Sequence, residues 1–337
     1  MSWSVIYKDA KQEAHLDHIV KSVSWSGDVM QAARKLTVQV SNTNDLRKPL
    51  IAFQKGAELR LVEDGKKELF RGVLFADSMD SGGQMTLTAY DENIYLTKNK
   101  DTKIFRGQTA AAIIKKLCNE FSISLGEVHD TKFVIPKLVF RDKTLFEMMV
   151  TALTESEKQN GERFFLSSKE GKLQLLARKQ QKKKWVLENG VNLLTASYSQ
   201  SIEETRTQVK IAGGDEKKKE LSAVAKDGEV IKLYGVMQHL EKPGQNMTKS
   251  QMEQRAKQLL KDLAMIKDEA RIECLGIPDV IAGSCIYVKE ELTGIVGGYY
   301  VSADEHRYEK SSHTMSLTLS ATDDLPKMEY KEQKGAQ

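Results

Sequence analysis

Six histidines, three cysteines and a few carboxylates are the groups that could do chemistry in this 337-residue chain. Their spacing argues against most of it. His15 and His18 are three apart but have no cysteine and no carboxylate–histidine pattern beside them, so they read as a solvated pair rather than a metal site. His306 and His313 flank a polar turn and read as turn residues. Cys118, Cys274 and Cys285 are odd in number and show no CxxC spacing. They read as reduced core thiols, neither a disulfide framework nor a zinc site. No GxSxG, HExxH or phosphate-loop motif is present.

A cell-wall hydrolase would need an acid of raised pKa facing a second carboxylate. Glu155 and Glu157 fall late in an expected helix, where positions two apart diverge on the surface. Asp77 and Asp304 follow matching strands, and an Asx hydrogen bond that fixes a turn explains both. No catalytic, cofactor-binding or metal-ligating residue is therefore expected.

Those two aspartates belong to a repeat. Leu74-Phe75-Ala76-Asp77, a turn and Met85-Thr86-Leu87-Thr88-Ala89 are echoed by Val301-Ser302-Ala303-Asp304, a longer turn and Met315-Ser316-Leu317-Thr318-Leu319. Upstream, Gly56-Ala57-Glu58-Leu59-Arg60-Leu61-Val62 matches Gly283-Ser284-Cys285-Ile286-Tyr287-Val288-Lys289. The shared Ala-Asp before the turn and Met after it favour duplication over two look-alike hairpins.

Composition narrows the class. Fifty-one basic residues nearly balance 47 acidic ones, for a net charge of +4, which gives no argument for sequence-specific nucleic-acid binding. Lys179-Gln180-Gln181-Lys182-Lys183-Lys184 has no interleaved aromatics and reads as a solvated linker. No run of about 18 apolar residues is present to span a membrane, and Met1–Asp9 lacks a signal-peptide core.

The predicted elements form an α+β chain that is mainly β. Residues 1–98 are expected to form one antiparallel β-barrel, with Leu36, Val38 and Val40 on the buried side of a strand and Asp64-Gly65 in a tight hairpin. Residues 99–185 are expected to form a small α+β domain. In it Thr109 caps a helix over 110–121, a second helix runs from Thr144 to Lys158, Gly161 ends it, and a hairpin covers 163–176. Residues 186–325 are expected to form a second, similar barrel, with Thr207, Val209 and Ile211 echoing Leu36–Val40. An insertion over about 213–268 carries a strand at Val230–Tyr234 and a helix opened by Thr248 with Gln251 as a capping box. Residues 326–337 are expected to be a disordered tail.

The ordered set Tyr90-Asp91-Glu92-Asn93-Ile94-Tyr95-Leu96, Ala264-Met265-Ile266-Lys267, Glu273-Cys274-Leu275-Gly276-Ile277-Pro278-Asp279, Thr293-Gly294, Gly298-Tyr299-Tyr300 and His313-Thr314-Met315 resembles phage tail hub proteins. The resemblance is to the XkdQ/YqbQ-like family of Bacillus-type prophages, beside the late control protein D and contractile-tail baseplate hubs. It covers most of the chain, in order. It implies two barrel "tube" domains per chain and a homotrimer, so that six barrels match a hexameric tail tube on one face and a three-fold spike on the other. The implied partners are the tail tube or tube initiator protein, the central spike protein and other baseplate proteins. The implied location is the tail baseplate of a virion or a tail-like bacteriocin, made in the bacterial host cytoplasm. Partner-facing residues are expected on the polar strand faces: Lys35, Gln39, Arg60, Arg206 and Lys210. A muralytic hydrolase, or a cell-wall-binding module at 100–180, is the alternative.

Overall fold

The computed structural model describes residues 2–43, 47–178, 185–213, 221–242 and 247–330. The chain divides into two compact units, Met1–Ala196 with Arg271–Gln337, and Ser197–Ala270.

The first unit opens with β1 (Trp3–Lys8), β2 (Glu13–His15), β3 (Val20–Asp28), β4 (Lys35–Ser41), β5 (Glu58–Glu63), β6 (Lys67–Met79) and β7 (Gln84–Tyr90). Alternation places Leu36, Val38 and Val40 of β4 in one core with Val5, Leu59, Leu61 and Leu87. Asp64 and Gly65 both adopt positive φ (48° and 66°) in the three-residue turn, residues 64–66, that joins β5 to β6.

A segment with its own core follows: α1 (Tyr95–Lys98), β8 (Lys100–Thr109), α2 (Ala110–Glu120), β9 (Leu125–Val128), β10 (Val134–Thr144), α3 (Leu145–Asn160), β11 (Phe164–Lys169) and β12 (Lys172–Ala177). Thr109 caps α2 through the Ala112 N–H at 3.2 Å. Thr144 and Glu147 form a reciprocal capping box on α3, and Gly161 ends that helix at φ 68°. Ile113, Ile114 and Leu117 of α2 pack with Leu145, Met148 and Met149 of α3, and each burial contributes about 1.5–3 kcal/mol. The expected disordered tail begins as docked chain. Met328 N–H donates to Thr154 Oγ1 (3.1 Å), and Val139 N–H donates to the Tyr330 hydroxyl (3.1 Å). Residues 331–337 lie outside the described residues, as does the Lys179–Lys184 linker.

Next come β13 (Trp185–Glu188) and β14 (Leu193–Ser201). The second unit takes in the end of β14, from Ser197, and holds β15 (Gln208–Gly213), β16 (Leu221–Lys226), α4 (Gly228–Tyr234), β17 (Gln238–Glu241) and α5 (Lys249–Leu263). Its sheet runs β16-β15-β17, and Val209, Ile211 and Ala223 pack against Met252 and Ala256 of α5. The strand expected at Val230–Tyr234 is instead the helix α4. Asp227 accepts from the Glu229 and Val230 N–H groups, and Gly235 stops the turn, so the caps override the β-branched residues.

Finally β18 (Lys267–Leu275), β19 (Cys285–Glu290), β20 (Ile295–Glu309) and β21 (Ser312–Ser320) return to the large sheet. Its order is β14-β18-β21-β20-β3-β4-β7-β6-β5-β1-β2, with β19 also on β20 and β13 on β19. The two β regions are thus halves of one open 13-stranded sheet, not two closed barrels. The end of the 15-residue β20 runs past β19, and β3 takes that free edge. The second half continues into the first instead of closing on itself.

Candidate assembly interface and its buried polar seam

The duplication holds residue by residue in the backbone. Glu58 pairs with Val73 and Leu61 with Phe70; 227 residues on, Cys285 pairs with Tyr300 and Val288 with Gly297. Both long strands carry a bulge at the same place. β6 skips from Leu74↔Ala89 to Ala76↔Thr88, and β20 from Val301↔Leu319 to Ala303↔Thr318. Even the turn before the inner strand recurs. Gly56 (φ 86°) donates to Leu74 O at 2.9 Å, and Gly283 (φ 92°) donates to Val301 O at 2.7 Å. Both halves share a strand order, β3-β4-β7-β6-β5 in one and β14-β18-β21-β20-β19 in the other. The counterpart of β4 is therefore β18. The segment 206–211, expected in that place, lies in the second unit.

The halves meet where β20 pairs with β3, from Ala303↔Asp28 to Glu309↔Ser22. A buried polar cluster locks this seam. Arg34, in the β3–β4 connection, donates both terminal nitrogens to Asp304, at 2.8 and 2.6 Å. The Asp304 side chain is wholly buried and also accepts the Ala282 N–H at 2.6 Å. The Arg34 guanidinium lies 4.3 Å over the Trp25 ring. Its backbone N–H donates to Asp91 at 3.0 Å, and Asp91 also accepts the Asn93 N–H at 3.0 Å. Burial pushes the Asp91 carboxyl up to about 7.

His306 and His313, expected as turn residues, belong to this cluster. His306 is fully buried. Its Nε2 faces Val280 O at 2.9 Å and must carry hydrogen, so its Nδ1 accepts from His313 Nε2 at 3.0 Å. His313 then has a bare Nδ1, which finds no partner, and its ring stacks on Tyr308 at 4.0 Å. Burial pulls both imidazoles down to about 4; for His306 the Asp304 carboxylate pulls the other way, and for His313 its neighbour His306 adds to the fall. Asp77 and Asp304, expected at turns, both sit inside strands and accept from cations. Asp77 pairs with Lys55 at the place where Asp304 takes Arg34. Spacing alone gave no sign of the cross-half contact, because Arg34 and Asp304 are 270 residues apart.

The expected partner-facing residues separate into two groups. Lys35 and Gln39 lie on the polar face of β4, where Gln39 accepts from Ser22 Oγ at 3.1 Å. Arg60 on β5 pairs with Glu58 (2.9 Å) and Glu13 (3.3 Å). Arg206 and Lys210 are in the second unit. Arg206 precedes β15 and donates to Glu203 O (3.0 Å), and Lys210 lies opposite Val224 and Leu240.

Of the other candidates, the carboxylates are held in structural contacts and two of the three cysteines are buried. A cavity of about 130 Å³ is lined by Asp91, Asn93, Phe146, Val150 and Glu157 among others. Both Asp91 oxygens are engaged by backbone N–H groups. Glu157 is held by Arg163 (3.3 Å) and Lys327 (3.0 Å), and Glu155 by Lys158 (2.8 Å). Burial pushes the Cys118 and Cys274 thiols up to about 12. Among the described residues no group of three or more His, Cys, Asp or Glu could hold a metal ion, and no helix is long and apolar enough to cross a membrane.

Comparison with known proteins places this geometry. The model of a family described as YQBQ-like matches residues 23–320. YqbQ of Bacillus subtilis (strain 168) is 35% identical over 318 residues, 94% of this chain and 96% of that protein. The phage-like element PBSX protein XkdQ of the same strain is 32% identical over 318 residues, 94% of this chain and 97% of that protein. The crystal structure of the 43 kDa tail protein of prophage MuSo2 from Shewanella oneidensis superposes with a TM-score of 0.67 at 14% identity. The match covers 94% of this chain and 98% of that one.

Proposed function

The chain belongs to the YQBQ-like family, and on that premise we propose that it is a structural protein of a phage tail or tail-like particle, the baseplate hub. Three copies form a ring of six sheet halves. Residues 1–98 and 186–325 serve as the two tube modules, and 99–185 is the domain between them. One face of the ring meets the hexameric tail tube or its initiator protein; the other meets a three-fold spike and the remaining baseplate proteins. The chain works by assembly, without turnover, in the particle.

The observation that carries this reading is the half-to-half repeat in register and strand order, joined side by side. A contact between two unlike ends of repeated halves is heterologous, and such contacts close into a ring when the rotation allows. XkdQ belongs by its name to a phage-like element, and the MuSo2 structure is that of a prophage tail protein. Light-scattering mass, alone and with tube protein added, tests the proposal. A mass of three chains, alone or templated by the tube, is expected; a six-chain or two-chain ring would overturn it.

A further inference from the structure

Beyond β21 the chain leaves the large sheet and runs across α3 to β10. Residues 321–330 form neither helix nor strand, and Leu325 is the one buried side chain among them. The rest of the hold is polar and comes at separated points. Lys327 Nζ lies 3.0 Å from the Glu157 carboxylate. Met328 N–H donates to Thr154 Oγ1 at 3.1 Å, and the Tyr330 hydroxyl accepts the Val139 N–H at 3.1 Å. The Tyr330 ring meets Phe140 edge-on, with centroids 6.3 Å apart. Glu157 and Thr154 are three apart and share a face of α3, so the strap follows that face and ends on β10.

Asp323 anchors the near end. Its carboxylate takes two guanidiniums, Arg163 Nη1 at 2.9 Å and Arg178 Nε and Nη2 at 2.7 Å each. Arg163 also donates to the Asp323 carbonyl. These arginines flank the β11–β12 hairpin, one just before it and one just after. The Arg178 side chain, only 9% exposed, reaches the large sheet as well. Its Nη1 donates to Gly283 O, and its guanidinium lies 5.3 Å from the Tyr300 ring and 5.8 Å from the Phe165 ring. One side chain thus ties strap, hairpin and sheet together. Leu325 and Pro326 of the strap line the cavity of about 130 Å³, as do Phe146 and Val150 of α3 and Gly283 of the turn.

We propose that residues 321–330 are a latch, a strap that comes off α3 and β10 as one piece when the Asp323 grip is lost, opening the cavity and baring the Val139 amide. The reason lies in how the segment is held. An irregular stretch gains no ladder hydrogen bonds, and ordering it costs chain entropy at every residue. One buried leucine and scattered single hydrogen bonds offset little of that, so the charge-assisted bonds to Asp323 decide whether it stays. Without that carboxylate the two guanidiniums also lose their shared counter-charge. A segment held this way opens at far lower free energy than the core beneath it. That core is built from α2, α3 and their strands, and of the strap only Tyr330 touches it, so it outlasts the opening. The latch belongs to the single chain and is independent of the number of copies in the ring.

The test uses the full chain. Asp323→Asn keeps the size of the side chain and removes its charge. Exchange of the Val139 amide, read residue by residue, should then speed up at least about tenfold, and trypsin should cut after Lys327 faster by a similar factor. Asp323→Glu keeps the carboxylate and should hold both near the parent rates. Tyr330→Phe separates the two ends. It frees the Val139 amide directly but leaves the Asp323 grip, so cutting after Lys327 should stay slow. In all three variants the thermal melt should match the parent. An Asp323→Asn chain that exchanges and is cut at parent rates would overturn the latch. So would a lowered melt with faster exchange throughout the α2–α3 core, because the segment would then be an integral part of that fold.

Discussion

The carboxylate of Asp304 has no access to water, and its charge is balanced by one guanidinium. The pair's net contribution to stability is small, because desolvating both ions offsets their attraction. Removing one partner is another matter. Arg34→Met should cost about 3–5 kcal/mol, since it strands a buried charge, whereas Arg34→Met with Asp304→Leu should recover much of that. Urea unfolding of the three chains checks this, and equal losses in single and double variants would contradict it. The same cluster sets a pH dependence. His306 and His313 titrate near 4 when folded, below their ordinary 6.5, so they stay neutral in the native state. Their stabilising effect is complete above about 6.5 and is lost as pH falls through 4. Asp91 opposes them. Its folded value of about 7 lies above the ordinary 3.8, so its neutral form is favoured and stability is lost as pH rises from about 4 through 7. Asp91→Asn should therefore make stability rise more steeply with pH between 4 and 7 than in the parent. Parallel curves by urea titration would refute the assignment.

Elements were legible where caps and alternation spoke together. Thr109, Thr144 and Thr248 each head the helix expected from their spacing, and Gly161 ends its helix at positive φ. Legibility failed where alternation stood alone. Val209 and Ile211 alternate as Val38 and Val40 do, but so do Ile272 and Cys274, and only the ladder decides which strand completes the half. At Val230–Tyr234 the Asp227 and Gly235 caps outweighed two β-branched side chains. The recurring turn offers a test at this scale. Gly56 and Gly283 both hold a positive φ that L-residues adopt at a cost of about 1–2 kcal/mol. Gly56→Ala has open space for its methyl and should cost that strain alone. Gly283→Ala would also bring a methyl to 3.2 Å from Arg178, whose Nη1 donates to Gly283 O, and should cost more. Thermal melts showing the reverse order would mean the two turns are not equivalent.

Across the whole molecule, a repeated hairpin became one sheet in which β3 of the first half covers the edge that β20 of the second half leaves open. The repeat was visible in Ala-Asp and Met, but the edge complement was not, because pairing between β3 and β20 joins residues some 280 positions apart. A barrel expectation follows naturally from six alternating strands; what opens the sheet is the length of β20, which outruns its partner. That geometry sorts the backbone by protection. β3 lies between β20 and β4, so its amides should exchange with solvent only on global unfolding, whatever the protein concentration. Among the described residues Ala76–Met79 is paired with β7 on one side only, so the amides on its other side should exchange fast in dilute protein and slowly once copies join. Hydrogen exchange at two concentrations bracketing assembly separates the possibilities. Slowing confined to that segment would mark strand-to-strand joining, whereas slowing confined to the second unit's exposed Leu233, Val236 and Leu240 would put the contact between copies elsewhere.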